Sequence, residues 1–278
     1  MLFRSQGAHI VLDRAFLPGD SAIMVPKTDD HRVLFAIPWH GRVLIGTTET
    51  AVPKPQLEPR PLREEIEFLL KHAARYLTQD PRRKDVLSAF AGLRPLVKAG
   101  KTRDTALVPR DHVVMVSKSG LVTVTGGKWT TYRKMAEDTV DRAAQVGRLA
   151  ERPCTTTRLR LHGWVAARVQ KADVNDQYGS DTPALLALMH QTAGSTELLH
   201  PTLPYKKVEV LWAVRHEMAR TIEDVLARRT RLLFLDARAS MTVASNVARW
   251  MAAELGRDEK WEREQVAEYR DCANGYLV

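Results

Sequence analysis

Neither of the common glycine-rich phosphate loops is present. No two of the fifteen glycines are separated by a single residue, so the chain contains no G-x-G-x-x-G dinucleotide fingerprint. Gly127-Lys128 fails as a P-loop as well, because Trp129 follows the lysine and Val122 stands where the first glycine is required. There are only two cysteines, Cys154 and Cys272, without metal-ligand spacing. They suggest a reduced chain rather than a disulfide scaffold, and no metal site is expected. No apolar run approaches the ~18 residues that a membrane-spanning helix needs. The opening MLFRSQGAHIV shows no secretory h-region or cleavage site.

Acidic charge is also in short supply: 33 Asp and Glu against 42 Lys and Arg leave a net charge of +9. The basic residues are scattered and interleaved with acids, and basic runs are as short as Arg82-Arg83-Lys84. This pattern describes a solvated basic surface. With no recognition motif, a nucleic-acid partner is not expected. A hydrophobic content of 44% over 278 residues is enough to bury a core in one large or two ordinary domains.

The pattern predicts strands in AHIVLDR, SAIMVP, RVLFAIPW and RVLIGTT between residues 8 and about 47, with turns at Pro18-Gly19, Thr28–Asp30 and His40-Gly41. PLREEIEFLLKHAARYL reads as a helix, with early glutamates and apolar residues at Ile66, Leu69, Leu70, Ala73 and Leu77. Strand character returns at Val86–Leu93, His112–Ser117 and Leu121–Thr125. ERPCTTTRLRLHGW reads as a linker, beyond which the pattern is almost wholly helical. One long helix is expected over 207–229, and others over Met241–Leu255 and Asp258–Cys272. The expected class is α+β: a mixed, antiparallel-sheet portion over 1–152, then a small all-helical domain over 153–278.

The most informative stretch is VTVTGGKWTTYRKMA. A β-branched run stops at Gly126-Gly127, and a helix is expected to begin near Lys128. A helix start has free N–H groups and positive partial charge, and tandem glycines admit close approach by another molecule. A donor-rich anion pocket fits this pattern. An ordinary strand-turn-helix with a solvated lysine and threonine caps fits it too.

GGKWTTYRKMAED, together with GAHIVLDR, FAIPWHGRVLIGTTET, AFAGLRPLV, LVPRDHVV and the tail AVRHEMARTIEDVLARRTRLLFLD, resembles the FAD-dependent (respiratory) glycerol-3-phosphate dehydrogenases. The resemblance covers most of the chain in the family's order, and it implies a DAO-like FAD oxidoreductase fold with a helical C-terminal cap. It also implies that the N-terminal Rossmann FAD-binding segment is not in this stretch, so the binding half for FAD is largely missing.

Gly126, Gly127, Lys128, Thr130 and Thr131 are then expected at the flavin or the substrate beside it, with Lys128 equally able to reach the substrate phosphate. The resemblance makes His9 the catalytic histidine; read without it, His9 is an ordinary strand histidine. Arg94 and Arg110 match substrate arginines whose planar forks suit a phosphate, Arg94 also being grouped with the catalytic residues. Arg133 is expected to be structural, or a neighbour of the flavin site.

The activity implied is oxidation of sn-glycerol 3-phosphate to dihydroxyacetone phosphate, with electrons passed to quinone. The protein would be cytoplasmic and peripheral on the inner face of the cytoplasmic membrane. A truncated, non-catalytic fragment or assembly module unable to bind FAD is the alternative. In either case an exposed sheet edge would invite a homodimer.

Overall fold

The computed structural model describes residues 2–30, 32–52, 54–97, 111–166 and 174–278. In chain order its strands and helices are β1 (Leu2–Asp13), β2 (Ile23–Val25), β3 (Leu34–Trp39), β4 (Arg42–Gly46), β5 (Thr50–Ala51), α1 (Arg63–Ala73) and β6 (Ser88–Val97). There follow β7 (His112–Val116), β8 (Val122–Gly126), α2 (Tyr132–Val146), α3 (Thr182–Gln191), β9 (Leu198–His200) and β10 (Leu203–Lys206). The chain ends in α4 (Lys207–His216), α5 (Leu232–Leu235), α6 (Ala237–Leu255) and α7 (Glu259–Asn274). The class is mixed helix and antiparallel sheet, as the sequence pattern implies.

Two compact units interleave along the sequence. The first comprises Met1–Gln6, Glu49–Leu57 and Gly92–Leu161; the second comprises Gly7–Thr48, Glu58–Ala91 and His162–Val278. All three clusters of buried apolar residues found among the described residues lie in the second unit.

In the second unit, β2, β3, β4 and β1 pair antiparallel in that order. The β3–β4 turn is His40-Gly41, with φ of 48° and 73°, the left-handed pair that matches strand twist in a tight hairpin. Period-two alternation directs Leu34 and Ala36 of β3 and Val43 and Ile45 of β4 inward. Ile10 and Leu12 of β1 join them, and Ile66, Leu69 and Ala73 of α1 complete this core.

The helical part of the same unit is built around Leu226, Leu232, Leu233, Leu235 and Met251, all fully buried. Asp236 and Asp258 cap α6 and α7, accepting the N–H groups of Ala239 and Trp261 at 2.9 Å each. The long helix expected over 207–229 is broken. Helix α4 stops at His216, Met218 takes a left-handed φ of 58°, and the chain resumes as a π-type turn over Asp224–Arg229. The helical part also carries the β9–β10 hairpin, where no strand was expected.

Glu209 sits at the start of α4, 3% exposed. It accepts the Lys206 N–H at 2.6 Å, the Tyr178 hydroxyl at 3.1 Å and Gln177 Nε2 at 3.1 Å. Burial outweighs these donors and pushes its carboxyl from 4.5 up to about 7. The folded protein therefore holds this proton more tightly than the unfolded chain does. The contribution to stability is present below pH 4.5 and lost as pH rises through about 7. Urea unfolding across that window should show a declining stability that Glu209→Gln flattens, with a difference of at most about 3 kcal/mol.

In the first unit, β7 and β8 form a two-stranded antiparallel sheet; among the described residues no further strand pairs with either. Helix α2 packs on this hairpin, and none of its 15 residues is buried. Ser5 and Gln6 of β1 pair with Ala51 and Thr50 of β5.

Candidate functional site

The expected site residues fall into two groups, one in each unit. His9 lies on β1, opposite Gly46 of β4, at the last register pair of that ladder. Its ring occupies the space that a side chain at position 46 would need: a Cβ on Gly46 would come within 2.0 Å of His9 Cδ2. Glycine is thus required there for close approach. The imidazole also stacks on Phe90, with centroids 5.3 Å apart and planes 12° from parallel. Phe90 meets Phe234 edge-on at 4.9 Å, and Phe234 meets Tyr276 edge-on at 5.5 Å. Tyr276 donates its hydroxyl to Glu58 at 2.7 Å. His9 itself is half-buried, while Ala8 and Ile10 on either side are fully buried.

The first unit carries the strand-turn-helix. Gly126 and Gly127 have φ of 78° and 76°, a conformation that side chains resist, so both positions require glycine. A Cβ at Gly127 would also lie 2.5 Å from Met135 Sδ and 3.1 Å from His112 Cβ. The glycines thus let β8 turn sharply while α2 closes on β7. Helix α2 begins at Tyr132, later than the sequence suggests, because Trp129–Thr131 form a 3₁₀ turn first. Thr131 closes that turn: its Oγ1 accepts the Lys128 N–H at 3.3 Å and donates to the Lys128 carbonyl at 3.0 Å. Lys128, Trp129, Thr130 and Thr131 are exposed, and Trp129 stacks on Tyr132 at 5.0 Å.

A chain of charges ties the hairpin to α2. His112 Nε2 lies 2.9 Å from Asp138, whose other oxygen is 2.8 Å from Lys134 Nζ. Lys134, and after it His112, hold the Asp138 carboxyl below the usual range. Arg133 pairs with Glu137 and reaches Thr156 Oγ1 at 3.1 Å, a local structural role. Arg94 lies half-buried on β6 in the first unit, and Arg110 is outside the described residues. On the cap, His216 stacks on Trp212 at 4.1 Å.

Three residues around His9 were not singled out from the sequence: Phe90, Thr48 and Glu65. Thr48 and Glu65 are buried at 5% and 4% exposure and hydrogen-bond to each other. The only signal for them was the GTTET run, which gave no hint of a carboxylate arriving from α1.

What the two groups offer chemically is a held imidazole in one unit and an exposed, donor-rich turn with a lysine and a flat aromatic pair in the other. The turn suits a planar, anion-bearing group. No helix among the described residues is long and apolar enough to cross a membrane.

Residues 122–262 match the family model described as the C-terminal domain of alpha-glycerophosphate oxidase, and residues 1–133 match that of FAD dependent oxidoreductases. A Caenorhabditis elegans protein named as a probable mitochondrial glycerol-3-phosphate dehydrogenase is 40% identical over 96% of this chain and 40% of its own length. A mitochondrial glycerol-3-phosphate dehydrogenase of Arabidopsis thaliana is 36% identical over 100% of this chain and 48% of its own. The crystal structure of glycerol-3-phosphate dehydrogenase from Bacillus halodurans complexed with FAD superimposes with a TM-score of 0.81 at 30% identity, covering 100% of this chain and 58% of that one. The chain thus spans about half the length, or less, of the curated relatives it matches. With more than half of its residues inside the C-terminal-domain model, it belongs to the FAD-dependent glycerol-3-phosphate dehydrogenase family and corresponds to that family's C-terminal part.

Proposed function

We propose that this chain forms the substrate side of an FAD-dependent oxidation of sn-glycerol 3-phosphate to dihydroxyacetone phosphate. The observation that carries the reading is the seating of His9, an imidazole set closely against Gly46 and stacked on Phe90. A secondary alcohol cannot lose hydride without surrendering its hydroxyl proton, and a held imidazole near neutral pH is suited to take it. FAD, when bound, supplies the hydride acceptor. Gly126, Gly127, Lys128, Thr130 and Thr131 would hold it or the substrate beside it. The exposed Lys128 and the N–H groups of the turn fit the negative charge of either. Arg94 and Arg110 bind the substrate phosphate in this reading, and the names of the relatives support the substrate.

Quinone as electron acceptor, attachment to the inner face of the cytoplasmic membrane and a homodimeric state belong to the same reading. The net charge of +9 supports contact with an anionic membrane surface. The division into a substrate and flavin-contacting portion over 1–152 and a helical portion over 153–278 also belongs to this reading.

The alternative is a folded but non-catalytic piece that holds no FAD by itself. What favours it is α2, a helix with no buried residue, on a hairpin unpaired among the described residues. The visible spectrum of the purified chain after incubation with FAD and gel filtration separates the two. A co-eluting flavin band that bleaches with glycerol 3-phosphate is the result expected of the catalytic reading. A band that persists unbleached removes the activity, and no band at all favours the alternative.

A further inference from the structure

A buried carboxylate is connected to the strand one residue before His9. Thr48 Oγ1 accepts the Ala8 N–H at 2.9 Å and donates to Glu65 Oε1 at 2.8 Å. Glu65 Oε2 accepts the Leu62 N–H at 2.8 Å at the start of α1. The Thr48 N–H returns a hydrogen bond to the Ala8 carbonyl at 3.4 Å. The β1–β4 ladder ends at the His9–Gly46 pair. One residue further along β1, a side-chain hydroxyl stands where a strand carbonyl would otherwise accept.

The directions of these bonds are constrained. Glu65 accepts from both neighbours, from the Thr48 hydroxyl at Oε1 and from the Leu62 amide at Oε2. The hydroxyl proton therefore points to Glu65, and the oxygen's lone pairs face Ala8. Ala8 is fully buried and Thr48 and Glu65 nearly so, which leaves little water to substitute for a lost partner. A hydrogen bond in such surroundings is strong and directional. It ties the backbone beside His9 to α1, an element anchored in the core by Ile66 and Leu69.

We propose that Thr48 and Glu65 are positioning residues for the His9 imidazole, holding β1 so that the ring stays in the slot left by Gly46. The proposal rests on the reading of His9 as the base for its functional meaning, but the ring placement is testable independently. A slip of about 1 Å in a reacting group costs on the order of 10²-fold in rate, so an anchor of this kind matters where chemistry is done.

The test is an NMR measurement on the purified chain with labelled histidine, reading the contact between the His9 ring Hδ2 and the Gly46 Hα protons. Thr48→Val keeps the shape and removes the hydroxyl; Thr48→Ser keeps the hydroxyl. The cross-peak should fall by about half or more in Thr48→Val as the ring samples a second rotamer, and recover in Thr48→Ser. If Thr48→Val does not fold, Glu65→Gln preserves the volume and carries the same readout, with the same loss expected. Reduced thermal stability with an unchanged cross-peak would overturn the proposal, since that is what a merely structural pair would give. The reading of His9 as base is checked separately, by adding glycerol 3-phosphate and FAD to the wild-type chain. Unmoved His9 ring signals count against the base assignment, while the Thr48 comparison still decides the positioning claim.

Discussion

On the reading proposed above, glycerol 3-phosphate is expected to reduce the bound flavin about 10²- to 10⁴-fold more slowly once His9 is replaced by glutamine. Glutamine fills much of the same volume and offers hydrogen bonds, but it cannot accept a proton near neutral pH. The stacking on Phe90 and the seat against Gly46 tolerate a side chain of similar reach, so the fold should survive. The loss should fall on kcat with KM little changed, because a proton acceptor is needed in the transition state rather than for substrate affinity. Stopped-flow absorbance of the flavin-loaded protein reads both. A variant that reduces flavin at the wild-type rate removes His9 from the role of base.

Gly46→Ala is expected to be the second severe change. The added methyl would lie 2.0 Å from His9 Cδ2 and 2.5 Å from Nε2, far inside van der Waals contact. The neighbouring Ile45 is fully buried and paired with Ile10, so β4 cannot retreat without disturbing the core. The ring must therefore leave its seat. Overpacking of this kind costs about 1–3 kcal/mol, and activity should fall as far as in the His9 variant. A double-mutant cycle makes the claim specific. Removing the ring with His9→Ala should relieve most of the Gly46→Ala cost in urea unfolding, leaving a coupling of about 1 kcal/mol or more between the two sites. Additive costs would show that the methyl collides with something other than the imidazole.

The sequence discloses long, strongly periodic elements well and short or interrupted ones poorly. β3, β4, α1, α6 and α7 lie close to where alternation and three-four spacing place them, because each buries one face in a core. The 207–229 stretch keeps helical spacing throughout, yet periodicity cannot register a left-handed residue such as Met218. Strands of three and four residues, as in β9 and β10, contain too few alternations to stand out. The start of α2 is displaced because Thr131 closes a tighter turn first.

In the candidate site, His9 and the tandem glycines carry marks in the sequence itself or in its resemblance to a family. The pairing of Thr48 with Glu65 does not, since the two are 17 residues apart and meet only after α1 has docked on the sheet. The stacking of Phe90 on His9, 81 residues away, is likewise visible only in three dimensions.

The contrast between α2 and the helical core bears on how tightly a ligand could be held. Residues such as Leu226, Leu233 and Met251 are sealed from solvent, whereas no residue of α2 is buried. A segment with so little burial opens at a low free-energy cost. Any molecule that grips the Gly126–Thr131 turn must also quench the motion of the helix that follows it, and that lost entropy subtracts from its affinity. By the same linkage, whatever else stiffens α2 would tighten the grip on that molecule without touching it.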